Sequence, residues 1–183
     1  MLVKDIIKLA CDFTGQEALG EKIAQSSLLE TCEQEIVDKF VKCFNLVNNE
    51  IASEFVPIKK IEQFEVSNGK ILLTQFSTKP YKILYIKNSL GRKMRFKQFD
   101  DHIFVLCKKA IICYSILPSV LSISDQIDSF LPERIYAYGV AREFLFLQSR
   151  FDDADIFEER FKNSLELICR TAPHAKMPRR RWL

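Results

Sequence analysis

Between Ile135 and Leu147 only Arg142 and Glu143 are polar, and this run constrains the fold more than any other stretch. A helix that is apolar nearly all round must be buried on several sides. Within it Ala137, Gly139 and Ala141 are small enough to let a neighbouring backbone come close. Gly139 costs the helix roughly 1 kcal/mol relative to alanine, a cost easier to tolerate inside a packed bundle. A second helix is expected over about Asp152–Arg170. There Ala154, Phe157, Phe161, Leu165 and Ile168 recur at steps of three and four, while Asp153, Glu158, Glu159, Lys162 and Glu166 face away. Asp152, Asp153 and Asp155 sit at its dipole-positive start and Arg170 at its end. The stretch Leu131–Arg170 thus reads as a helical hairpin whose inner helix is the centre of the fold.

Ahead of the hairpin the apolar period changes twice. Val3, Ile6, Ile7, Ala10 and Phe13 mark a short helix closed by Gly15. Residues 14–26 are polar and read as a loop with at most one helical turn. Ser27-Leu28-Leu29-Glu30 has capping-box spacing. Leu29, Ile36, Phe40, Phe44, Val47, Ile51 and Phe55 then mark one face of a long helix that Pro57 stops. Unbroken from Leu28 to Phe55 it would span roughly 40 Å, long enough to line an interface as well as a core.

From residue 57 the pattern becomes strand-like. Ile61–Val66, Lys70–Phe76, Tyr81–Lys87, Arg92–Phe96, His102–Leu106 and Ala110–Ile116 are short, β-branched or aromatic, and separated by turn residues. Asn68-Gly69 is a strong hairpin signal. The expected architecture is α+β: a bundle of about four helices with an inserted antiparallel β module, curled or two-layered. In residue terms, 1–56 plus 119–171 form the bundle, 57–118 the β module, and 172–183 a basic C-terminal tail.

The net charge of +3 conceals segregation. Residues 1–56 carry 5 basic and 10 acidic side chains, residues 57–116 carry 12 and 4, residues 117–171 carry 6 and 10, and residues 172–183 carry 4 and none. Such a distribution speaks about partners rather than fold. Lys82, Lys87, Arg92, Lys93, Arg95 and Lys97, interleaved with Tyr81, Tyr85 and Phe96, suit three readings. One is a nucleic-acid surface of the stacking-plus-phosphate kind. Another is a solvated outer face, consistent with Met94 and Phe96 alternating against Arg95 and Lys97. The third is a face that docks on the acidic helices of a neighbouring subunit. In the tail, Lys176, Arg179, Arg180, Arg181 and Trp182 are either a frayed end or an interface anchor, since Trp and Arg dominate binding energy.

Little here suggests an enzyme or a cofactor. The only histidines, His102 and His174, stand in no metal-ligand spacing, and Cys107 and Cys113 lack a second pair. Asp100-Asp101-His102 could be drawn as an acid and a base, but it also marks a turn between strands. Six scattered cysteines could form three disulfides. The absence of a signal-peptide pattern favours reduced thiols and a protein made in the cytoplasm. No apolar run approaches a membrane span.

The order of parts resembles a known family. The β module ends in Cys113-Tyr114-Ser115-Ile116-Leu117-Pro118. Asp125 and Leu131-Pro132-Glu133 then lead into Tyr136-Ala137-Tyr138-Gly139-Val140-Ala141-Arg142-Glu143-Phe144-Leu145, and Ala154, Phe161 and Leu165 pattern the closing helix. Over roughly residues 1–170 this is similar to the head–tail adaptors, the tail-tubular-A-like connectors of tailed double-stranded DNA phages. The resemblance implies a structural virion protein, not an enzyme, located in the neck between capsid portal and tail and assembled in the host cytoplasm. It implies a homo-oligomeric ring, commonly a dodecamer, that binds the portal, receives a downstream tail protein and extends the DNA channel. Passing double-stranded DNA would be met without sequence specificity and no membrane would be involved. The family's C-terminal segment often reaches the portal, which makes Lys176, Arg179, Arg180, Arg181 and Trp182 the expected portal-binding residues. The alternative class is a nucleic-acid-binding module using residues 81–97.

Overall fold

The structure is a computed structural model that describes residues 1–25 and 27–171 of the 183. The chain divides into two compact units, Met1–Asn48 with Val120–Leu183, and Asn49–Ser119. The fold is α+β, with five α-helices and two antiparallel sheets among the described residues.

In the helical unit, α1 (Val3–Thr14) buries Val3, Ile6, Ile7 and Ala10, and Gly15 closes it in the left-handed conformation at φ 79°. The stretch expected as a loop instead contains an eight-residue helix, α2 (Glu17–Ala24). Its apolar signal is only Leu19 and Ile23, both buried, and the Gly20 between them disguises it. α3 (Thr31–Glu50) begins three residues later than expected. Leu28 is fully exposed, and the first turn is closed by the Glu30 N–H donating to the Glu33 carboxylate at 3.0 Å, not by Ser27. Its buried face is Val37, Phe40, Cys43, Phe44, Val47 and Asn48. The helix runs on past the unit boundary into a π-helical turn, Ile51–Phe55, ahead of Pro57.

α4 (Glu133–Leu147) is the hub of this unit, because every residue from Ile135 to Arg142 is buried. Phe144 stacks on Phe40 of α3 with ring centroids 3.9 Å apart, and Tyr138 stacks on Phe13 of α1 at 5.2 Å. α5 (Phe151–Thr171) lays Ala154, Phe161 and Leu165 into the core. The α4–α5 turn is closed by the Arg150 N–H donating to the Leu145 carbonyl at 3.0 Å, with Ser149 at φ 59°. The crossing from residue 120 to α4 is tied down at two points. The Asn45 amide exchanges two hydrogen bonds of 2.8 Å with the Leu121 backbone, and Leu2 bridges Gln126.

The β unit is two-layered. One sheet has the order β1–β7–β3–β4, from β1 (Ile58–Glu65), β3 (Lys82–Asn88), β4 (Lys93–Met94) and β7 (Lys109–Ile116). The other has the order β2–β6–β5, from β2 (Lys70–Leu72), β5 (Phe96–Gln98) and β6 (His102–Val105). Phe64, Ile83, Ile86, Ile112 and Tyr114 from the first sheet and Ile71, Ile103 and Val105 from the second form one core. The Asn68-Gly69 turn forms, with both residues at positive φ and Ser67 bridged to Lys70. The strands it joins nevertheless belong to different sheets. The run expected as a single strand, Arg92–Phe96, is likewise split at Arg95, with β4 in one sheet and β5 in the other. Two short strands turning a corner have the same apolar alternation as one straight strand, so periodicity does not separate them.

Candidate basic face and buried ion cluster

The six basic residues singled out in the β unit do not share one surface. In register, Lys82, Tyr85 and Lys87 of β3 lie opposite Ser115, Cys113 and Ile111 of β7. A bulge between Ile83 and Tyr85 re-phases the strand. Because of it Lys82 joins Tyr85 and Lys87 on the outer side, while Ile83 and Ile86 both turn into the core. Lys93 is the cross-strand partner of Lys87. On the far side of β7, β1 adds Lys59 opposite Ser115 and Ile61 opposite Cys113. Arg92 sits in the β3–β4 turn, where its N–H donates to the Asn88 side chain at 3.0 Å. Arg95 marks the corner between the sheets. Lys97 lies opposite Phe104, as does Lys70, on the outer side of the smaller sheet.

The outer face of the larger sheet therefore carries Lys59, Lys82, Lys87 and Lys93 around Tyr85 and Ile61, the latter 62% exposed. The Lys87 and Lys93 ammonium groups approach the Tyr85 ring centroid to 5.1 and 5.8 Å. The Tyr85 hydroxyl is raised above the usual phenol range by a hydrogen bond with the Cys113 thiol. Glu65, the one carboxylate on this face, is paired with Lys109 at 3.5 Å. Among the described residues no carboxylate lies within ion-pair distance of Lys59, Lys82, Lys87 or Lys93. Neither Lys59 nor the bulge was visible in the sequence: Lys59 stands outside the basic cluster, and the bulge has no residue signature.

On the inner side of β1, Glu62 accepts the Tyr114 hydroxyl at 2.6 Å together with the Ser77 hydroxyl and N–H. Burial works against its charge, but these donors outweigh it and hold Glu62 below the usual carboxylate range. Asp100-Asp101-His102 forms the β5–β6 turn, closed by the Phe99 N–H donating to the His102 carbonyl at 2.9 Å. Its Asp101 is held low by the His102 ring 2.6 Å away.

The helical unit holds a second charged cluster. Arg142, 5% exposed on α4, donates from Nη1 to Glu158 at 2.5 Å and from Nη2 to Glu143 at 2.6 Å, and its guanidinium lies 5.0 Å from the Phe161 ring centroid. Glu158 also pairs with Lys162 at 2.5 Å. Glu158 therefore does not face away, as its charge suggested, but stands between Ala154 and Phe161 and turns toward the one cation that the hub helix buries. Burial opposes its charge, yet the Lys162 and Arg142 bonds outweigh that and hold its carboxyl below the ordinary value. Both functions of such a cluster are structural: it satisfies a buried guanidinium and fixes α5 against α4.

A groove of about 370 Å³ near the N-terminus is lined by Leu2, Lys4, Ile23, Leu29 and Ile123, with Lys22 paired to Glu33 at its edge. Among the described residues no three His, Cys, Asp or Glu side chains converge as metal ligands, and no helix is long and apolar enough to cross a membrane. All six cysteines are free, and burial pushes the Cys11 and Cys43 thiols up to about 12. The expected portal-binding residues Lys176, Arg179, Arg180, Arg181 and Trp182 lie outside the described residues.

In comparisons with known proteins, no family model and no curated protein sequence matches this chain.

Proposed function

We propose that this chain is a structural virion protein, a head–tail adaptor that forms a ring joining the portal to the tail and extending the DNA channel. One observation carries the reading: a β unit is spliced into a helical unit ahead of a hub helix in which every residue from Ile135 to Arg142 is buried. That arrangement, in that chain order, is the one the resemblance implies.

Charge supports it. The unit Asn49–Ser119 carries 12 basic and 6 acidic side chains, net +6. Residues 1–48 with 120–171 carry 11 and 18, net −7. A closed ring is built from heterologous contacts in which two dissimilar faces of one protein meet, and oppositely charged units supply such faces. In this reading the tail residues Lys176, Arg179, Arg180, Arg181 and Trp182 anchor the chain to the portal, and the opposite end of the ring receives the next tail component.

The test is co-sedimentation with portal-bearing heads from the same phage genome. The full chain should join the heads, and a chain lacking residues 173–183 should remain folded but fail to join. Failure of the full chain overturns the adaptor reading, while joining by the truncated chain removes the tail from the contact.

A further inference from the structure

We infer that the outer face of the β1–β7–β3–β4 sheet, centred on Lys87 and Lys93, is a binding surface for a phosphodiester backbone. The inference does not depend on the adaptor reading, since it rests on the geometry of this face alone.

Like charges placed directly opposite each other on neighbouring strands destabilise a sheet. Lys87 and Lys93 are such a pair, and their ammonium groups converge on the same Tyr85 ring. Lys82 and Lys59 extend the charge across the sheet on either side of Ser115. None of the four has a carboxylate partner among the described residues. From Lys82 to Lys87 the bulged strand covers four residue steps of β7, roughly 13 Å at the usual rise. One strand of a duplex advances past about four phosphates along its axis over that distance, at about one per 3.4 Å.

A phosphodiester backbone matches the spread of charge on this face, four lysines around a single exposed isoleucine. Docking on the acidic unit of a second copy would show instead as a change of oligomeric state in a variant of these lysines. Tyr85 is half-buried with two cations against its ring, so the face offers charge to a backbone rather than an open ring to a base. Binding should therefore be independent of sequence.

The test is fluorescence anisotropy of the full chain with a labelled duplex of about 30 base pairs, titrated over a range of salt from about 50 mM. Lys87→Glu with Lys93→Glu should weaken binding at least about tenfold at the lowest salt. It should also lower the slope of log affinity against log salt by about two, one for each phosphate that a lysine no longer neutralises. Lys97→Glu, half that change of charge placed on the other sheet, should change affinity less than about threefold. Circular dichroism should show all variants folded. Single-stranded DNA should be bound through the same two lysines, and inorganic phosphate at millimolar concentration should not compete. An unaffected double variant, an equal loss with Lys97→Glu, or competition by free phosphate would each overturn the inference. So would a double variant that changes oligomeric state while keeping its DNA affinity, which would mark the face as a protein interface.

Discussion

Gly139 of α4 faces Val47 of α3 so closely that a β-carbon at residue 139 would lie 2.6 Å from Val47 Cγ1 and 3.1 Å from the Phe161 ring. The hub helix is thus gripped from two sides by side chains rather than by a neighbouring backbone. Alanine would gain about 1 kcal/mol of helix propensity. Overpacking a tight core costs about 1–3 kcal/mol, and Val47 is β-branched and buried, so it cannot swing aside. Gly139→Ala should therefore lower the midpoint of denaturant unfolding, and pairing it with Val47→Ala should restore part of the loss.

Arg142 is the buried cation that α5 must satisfy. Removing Glu158 leaves the guanidinium with Glu143 but with a hydrogen bond unmade, which costs less than the loss of its only counter-charge, on the order of 1–3 kcal/mol. Glu158→Ala should destabilise the helical unit by that order in thermal unfolding, and Arg142→Met with Glu158→Leu should recover much of it. The double replacement matters, because an apolar pair of similar volume removes the desolvation cost along with the attraction.

Acid sensitivity follows from the same carboxylates. The folded pKa of Glu158 and of Glu62 is depressed, so the unfolded state binds protons more readily. The stability each contributes is present above the unfolded value of about 4.3 and is lost as pH falls through the folded one. Unfolding temperature should decline as pH drops below about 4.5. Glu158→Gln should flatten that decline for the helical unit, and Glu62→Gln for the β unit. An unchanged acid limb in both variants would show that other groups set it.

Asn45 of α3 holds the segment that leads from residue 120 to α4 in place through both backbone polar groups of Leu121. Asn45→Ala strands a backbone N–H and a carbonyl, at about 1–3 kcal/mol. The Leu121 amide should exchange with solvent faster in hydrogen-exchange measurements, while amides inside α4 should change little.

What could be read from residues alone follows a physical line. The hub helix was legible because apolar residues on every side of a helix leave burial as the only option, and Ile135–Arg142 is buried without a gap. Gly15 as a helix stop was legible because the left-handed conformation selects glycine. The strands were legible as segments, but their assignment to sheets was not. Pairing is a long-range choice, and both the turn at Asn68-Gly69 and the corner at Arg95 obey local rules whichever sheet follows. The basic face needed a bulge that brings Lys82 beside Lys87 across an odd spacing, with Lys59 added from a strand far off in sequence. The inward turn of Glu158 was legible in its position, four residues after Ala154 and three before Phe161, but its charge argued for the polar side until the buried Arg142 supplied a partner.

The adaptor reading is tested most directly by electron microscopy of the purified chain mixed with its portal protein. The expected micrograph shows one added ring stacked coaxially beneath the portal, absent when either component is imaged alone. Portals that stay bare at saturating concentrations of a folded chain would contradict the account.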